Sequence, residues 1–76
     1  MRKQEVRVLP GALKTLRGIR GLTQKELAKQ AGCSLALVAM IETADRQPSL
    51  ETAQAIADVL GVEVGAFAFV LTEQAA

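Results

Sequence analysis

The sequence contains no histidine, tryptophan or tyrosine, and only one cysteine and two phenylalanines among its 76 residues. Each gap excludes a chemistry. Without imidazole there is no side-chain base poised near neutral pH and no Cys/His pair for nucleophilic catalysis. A single thiol, Cys33, cannot close an internal disulfide, and with no histidine beside it a metal site is not expected. No arrangement of carboxylates marks a paired acid and base, so neither enzymatic activity nor a cofactor is expected. No apolar run approaches the ~20 residues that a membrane helix needs. The basic N-terminus MRKQEVRVLP leads into no apolar stretch, so a secretory leader is not expected and the chain is expected in the cytoplasm. Two prolines and an apolar content of 50% argue against disorder. The length allows one domain, which buries only about 60% of its unfolded surface and gains from oligomerisation.

What the sequence does have is segregated charge. The formal net charge is +1, yet residues 1–30 carry Arg2, Lys3, Arg7, Lys14, Arg17, Arg20, Lys25 and Lys29 against Glu5 and Glu26. Residues 31–76 carry Arg46 alone against Glu42, Asp45, Glu51, Asp58, Glu63 and Glu73. Such asymmetry suits a side that faces a polyanion, and it equally suits ordinary solvated helix surfaces.

The local pattern is helical. Val6 and Val8 alternate with polar neighbours, as in a short extended arm or edge strand. After Pro10-Gly11 a first helix is predicted over 12–20, with Leu13 and Leu16 on one face and Gly21 closing it. Thr23 with Glu26 forms a capping box that starts a second helix at Gln24, which runs to Ala31 and stops at Gly32. Ser34 then caps a third helix, predicted to end near Thr43, with Val38 and Ile41 inward. Pro48-Ser49 announces a fourth, in which Leu50, Ala53, Ile56, Ala57 and Leu60 recur at helical spacing before Gly61. The last segment, VEVGAFAFVL, reads either as a short apolar helix or as a strand.

Two helices joined only by Gly-Cys-Ser cannot lie antiparallel. They cross steeply, which is helix-turn-helix geometry and leaves the second helix projecting toward a major groove roughly 12 Å wide. At this point the sequence resembles the helix-turn-helix domain of phage repressors, Cro proteins and xenobiotic-response-element type regulators. The matching stretches are LRGIRGLTQKELAKQAGCS, VAMIE, RQPSL and IADVLGV, within residues 12–69. Controller proteins of restriction-modification systems form a subgroup of similar length. The resemblance implies an all-α fold of five helices, and the chain is expected to divide into an arm at 1–9, a domain at 10–71 and a tail at 72–76. It also implies a homodimer on a pseudo-palindromic operator in duplex DNA. It places Gln24 on a phosphate, where helix-start amides also favour anions, and Arg46 on the DNA backbone. It makes Arg17 and Glu42 a buried ion pair between helices one and three. Cys33 takes a core position, and Ala44 stands where the family prefers glycine, which implies a strained or altered turn.

The third helix itself is unusual. Steps of 100° place Leu35, Ala36, Ala39, Met40 and Thr43 outward. Only Ser34 and Thr43 offer hydrogen bonds there, although base edges are hydrogen-bonding groups. One reading keeps the helix in the groove, with Lys25 and Lys29 near phosphates, Arg2 and Lys3 reaching an adjacent groove or backbone, and thymine methyls against the apolar side chains. The other docks the apolar arc on a protein partner, as in an antitoxin-like protein. The resemblance puts Phe67 at a core leucine position, and Val64, Phe67, Phe69, Val70 and Leu71 are together assigned to a dimer interface, because Phe69, Val70 and Leu71 do not all turn inward in a helix.

Overall fold

The computed structural model describes residues 2–74, and the side chains of residues 4–72. A strand β1 (Arg2–Val8) leads into helices α1 (Pro10–Ile19), α2 (Gln24–Ala31), α3 (Leu35–Glu42) and α4 (Leu50–Leu60). A single 3₁₀ turn (Val64–Ala66) then precedes strand β2 (Ala68–Gln74). Short polar side chains begin three of the helices. Thr23 Oγ1 accepts from the Glu26 amide at 3.0 Å while the Thr23 amide donates to Glu26 Oε1 at 2.9 Å. Ser34 and Ser49 accept from the amides of Leu37 and Thr52. Each such cap is worth about 1 kcal/mol.

All four helices end with the same device: a residue at positive φ, followed by an amide that reaches back five positions to a helix carbonyl. Leu22 bonds to Arg17, Cys33 to Ala28, Asp45 to Met40 and Val62 to Ala57, at 2.9–3.1 Å. The left-handed position is glycine at Gly21, Gly32 and Gly61, but at the end of α3 it is Ala44, with φ 64°. The turn after α3 therefore keeps the geometry of the other three and carries a β-carbon in a disfavoured region, at a cost of about 1–2 kcal/mol. Replacing Ala44 with glycine is expected to stabilise the fold by up to about 1 kcal/mol once the looser unfolded chain is allowed for. Thermal melts should show a rise of several degrees, about 4–8 °C for each kcal/mol in a chain of this size. An unchanged or lowered Tm would show that Ala44 is not strained.

Leu13, Leu27, Val38, Ile41, Ile56, Leu60 and Phe67 are fully buried, drawing on every helix and on the segment that precedes β2. The two strands pair antiparallel in a two-stranded sheet, with Arg2 opposite Gln74, Val6 opposite Val70 and Val8 opposite Ala68. Val6, Val8 and Ala68 are buried toward the helices, β1 packs on α4, and Glu5 and Arg7 between the buried positions are exposed. Two bonds fasten the base of this ribbon. The Val8 amide donates to Gln47 Oε1 at 2.8 Å, and the Leu9 amide donates to the Phe67 carbonyl at 2.7 Å. Farther out, Gln4 and Thr72 on the inner face are exposed, so the ribbon extends past the helical body.

The expectation of a purely helical domain with five helices is corrected here. There are four α-helices, and the C-terminal segment is one 3₁₀ turn and a strand. The reason is pairing. Val6 and Val8 give β1 a buried face, and its backbone donors and acceptors require a neighbour. The alternating run from Ala68 supplies one, placing Ala68 and Val70 inward and Phe69 and Leu71 outward. Residues 75 and 76 of the expected tail lie outside the described residues, and β2 runs through the rest of it. No helix among the described residues is long and apolar enough to cross a membrane.

Candidate nucleic-acid interface

α2 and α3 pack on each other across the short Gly32–Ser34 connection, with α2 also against α4 and α3 also against α1. α3 is held by three buried residues on one side: Val38, Ile41 and Glu42. The opposite side faces out. Leu35 is 46% exposed, Ala36 and Thr43 are exposed, and Ala39 and Met40 are half-buried. The one charged residue of α3 is the buried Glu42, so its outer surface is uncharged.

Glu42 is 3% exposed and is the one charged residue buried among those described. Arg17 on α1 grips it through both carboxylate oxygens, Nε to Oε2 at 2.7 Å and Nη2 to Oε1 at 2.9 Å. The third guanidinium nitrogen donates to the Leu22 carbonyl at 2.9 Å. Burial pushes the Glu42 carboxyl upward, but hydrogen bonds from Arg17 and Gln24, with the charges of Arg17 and Lys14, outweigh it and hold the group below its ordinary range. The Arg17 guanidinium is raised, chiefly by its hydrogen bond to Glu42. The pair fixes α3 to α1 and so sets how far the outer face of α3 stands from the body.

Gln24 is part of the same cluster. Its Nε2 donates to Glu42 Oε1 at 2.9 Å, so one of its two amide hydrogens is engaged and one remains for another acceptor. The backbone amides of Gln24 and Lys25 open α2 and have no acceptor within the helix. Lys25 is exposed beside them. The Ser34 oxygen caps α3, which leaves its hydroxyl hydrogen. Thr43 Oγ1 lies 2.9 Å from Asp45 Oδ2 and 3.1 Å from the Met40 carbonyl, so its hydroxyl is used locally. Arg46 is exposed just past the Ala44 turn. Cys33 is half-buried against the core, and burial pushes its thiol up from its ordinary value.

Of the residues assigned to a dimer interface, Phe67 is fully buried in the chain's own core and Val64 is half-buried against it. Phe69, Val70 and Leu71 are exposed on β2. Reading along the chain missed three contacts. Gln24 reaches Glu42, Gln47 stitches the loop after α3 to β1, and Arg20 Nε donates to the Leu60 carbonyl at 2.9 Å at the end of α4. All three join residues at least 18 positions apart, and no local spacing announces such bonds.

The family model described as Helix-turn-helix (HTH_3) matches residues 13–67, from α1 through the fully buried Phe67. The chain belongs to this helix-turn-helix family. It is 43% identical over 54 residues to the immunity repressor protein of Bacillus phage phi105, a match covering 71% of this chain and 38% of the repressor. The restriction-modification controller protein C.AhdI of Aeromonas hydrophila superposes with a TM-score of 0.73 at 29% identity, over 76% of this chain and 88% of that one. The clp gene regulator ClgR of Corynebacterium glutamicum superposes at 0.71 with 27% identity, over 78% of this chain and 63% of that one. This chain therefore spans well under half of the phage repressor. Both strands of the ribbon lie outside the segment that defines the helix-turn-helix family.

Proposed function

We propose that the chain is a transcriptional regulator that binds duplex DNA as a homodimer, with α3 in the major groove. The observation that carries this reading is the exposed, uncharged outer face of α3, held by the Arg17–Glu42 pair within a repressor-type helix-turn-helix scaffold. The similar proteins support it, being a phage immunity repressor, a restriction-modification controller and a gene regulator.

In this reading the amides at the start of α2, the remaining amide hydrogen of Gln24, Lys25 and Arg46 hold phosphates and set the register. Ser34, Leu35, Ala36, Ala39, Met40 and Thr43 meet the bases. With no arginine, lysine or free carboxamide on α3, the bidentate contact to guanine is missing, and recognition falls to thymine methyl groups. The sites expected are A·T-rich in the half-site that α3 covers.

The exposed Leu35 and its small neighbours also support a second reading, in which a protein partner covers α3. Titration of pooled random duplexes at several salt concentrations separates the two. Lys25 and Arg46 of two copies neutralise four phosphates, which predicts an affinity that drops about 100-fold between 50 and 200 mM salt, as counterions are released. No binding at 50 mM salt, with a stoichiometric protein complex in its place, supports the second reading.

A further inference from the structure

We infer that the outer face of the β1–β2 ribbon is the docking surface for a second copy of this chain. The inference rests on the two-copy reading above and names the face that joins the copies. Three of the large apolar side chains left exposed lie on this face: Phe69 at 60%, Leu71 at 52%, and Leu9 at 45%, next in the alternation after Arg7. A protein of this size rarely leaves such a cluster in water without a partner. The neighbours on the same face are Glu5 and Arg7, exposed and 3.3 Å apart.

The register makes this face complementary to itself. Val6 pairs with Val70, Glu5 with Leu71 and Arg7 with Phe69. A two-fold axis laid along the Val6–Val70 row exchanges the positions on either side of it. Glu5 of one copy then meets Arg7 of the other, and Phe69 meets Leu71, twice over. A charge pair and an apolar pair are satisfied by one operation, and no like charges oppose among these four positions. The ribbon is also free to serve this purpose, because it lies outside the segment shared with the family and projects past the helical body. Five side chains make a patch smaller than the roughly 800 Å² per partner of a standard interface, so dissociation in the micromolar range is expected.

The test uses sedimentation velocity at about 100 µM, without DNA, on the wild type, on Glu5→Arg and on Arg7→Glu. Both substitutions are at exposed positions, and circular dichroism confirms that the fold is retained. The wild type is expected to sediment as a dimer and each single variant as a monomer, because the two-fold then opposes like charges. An equimolar mixture of the two variants should restore a dimer, seen as a 1:1 heterodimer by native mass spectrometry. The double variant Glu5→Arg/Arg7→Glu should dimerise with itself. A wild type that stays monomeric overturns the two-copy reading together with this face. A wild-type dimer that both single variants share retains the two-copy reading and overturns the face.

Discussion

Replacing Arg17 with alanine is expected to remove about 3–5 kcal/mol of stability, the loss typical of a buried charge stripped of its partner. A chain of this size has little more than that to lose, so the variant should melt at least about 12 °C below wild type or not fold at all. Glu42→Ala should cost less. It leaves Arg17 unpaired, but Arg17 is partly solvated and keeps its bond to the Leu22 carbonyl. The pH dependence separates a buried pair from simple lost packing. In the wild type Glu42 is held below its unfolded value, so its contribution is complete above the unfolded pKa. It is lost as pH falls below about 4 and through the folded pKa. In Arg17→Ala the Gln24 hydrogen bond and the Lys14 charge still favour the carboxylate, but burial is the largest single influence on Glu42 and is expected to lift it above its unfolded value, so that variant should gain relative stability as pH falls from 7 toward 5. Between pH 7 and 5 the Tm of the variant is therefore expected to rise relative to that of the wild type, whose Glu42 contribution is constant there. Parallel slopes would show that the carboxylate is not stranded when Arg17 is removed. If Arg17→Ala does not fold, the pair Arg17→Met/Glu42→Leu should, because a well-packed apolar replacement offsets most of the loss.

The second large effect concerns α3. Ala39→Glu adds one carboxylate to its outer, half-buried face and touches none of Val38, Ile41 or Glu42. Against base edges and phosphates that carboxylate is repelled and desolvated, which costs several kcal/mol. Affinity for a selected duplex should drop by about 100-fold or more, since each 1.4 kcal/mol is a factor of ten. The melting temperature should stay within a few degrees of wild type. Ala39→Ser provides the control, being small and neutral, and should keep binding within about tenfold. Normal duplex binding by Ala39→Glu, on a folded protein, would remove α3 from the groove.

The helices were legible in the sequence because their signals are local. Thr23 with Glu26, Ser34, Ser49 and the glycines at 21, 32 and 61 mark starts and stops within a few residues of the event. The outward arc of α3 follows from a 100° step once Val38 and Ile41 are recognised as core. The strand β2 was not legible, because its partner is at the far end of the chain. VEVGAFAFVL carries no information about RKQEVRV, and an isolated apolar segment of that length fits helix and strand alike. The burial of Phe67 was legible only by resemblance, at a core leucine position. That burial depends on where the chain turns after Gly65, and that turn is set by the pairing of Val8 with Ala68. Within the site, Arg17 and Glu42 were picked out by resemblance, whereas the Gln24 bond to Glu42 became visible only in three dimensions.

The pairing of Arg2 with Gln74 brings the beginning and end of the described polypeptide to neighbouring positions, about 5 Å apart as in any antiparallel ladder. Between these two residues the backbone thus runs in a nearly closed ring with a clasp. The clasp also sets an order of assembly. Its two strands are the parts of the described chain farthest apart in sequence, so the clasp should close last as these residues fold and open first as they unfold.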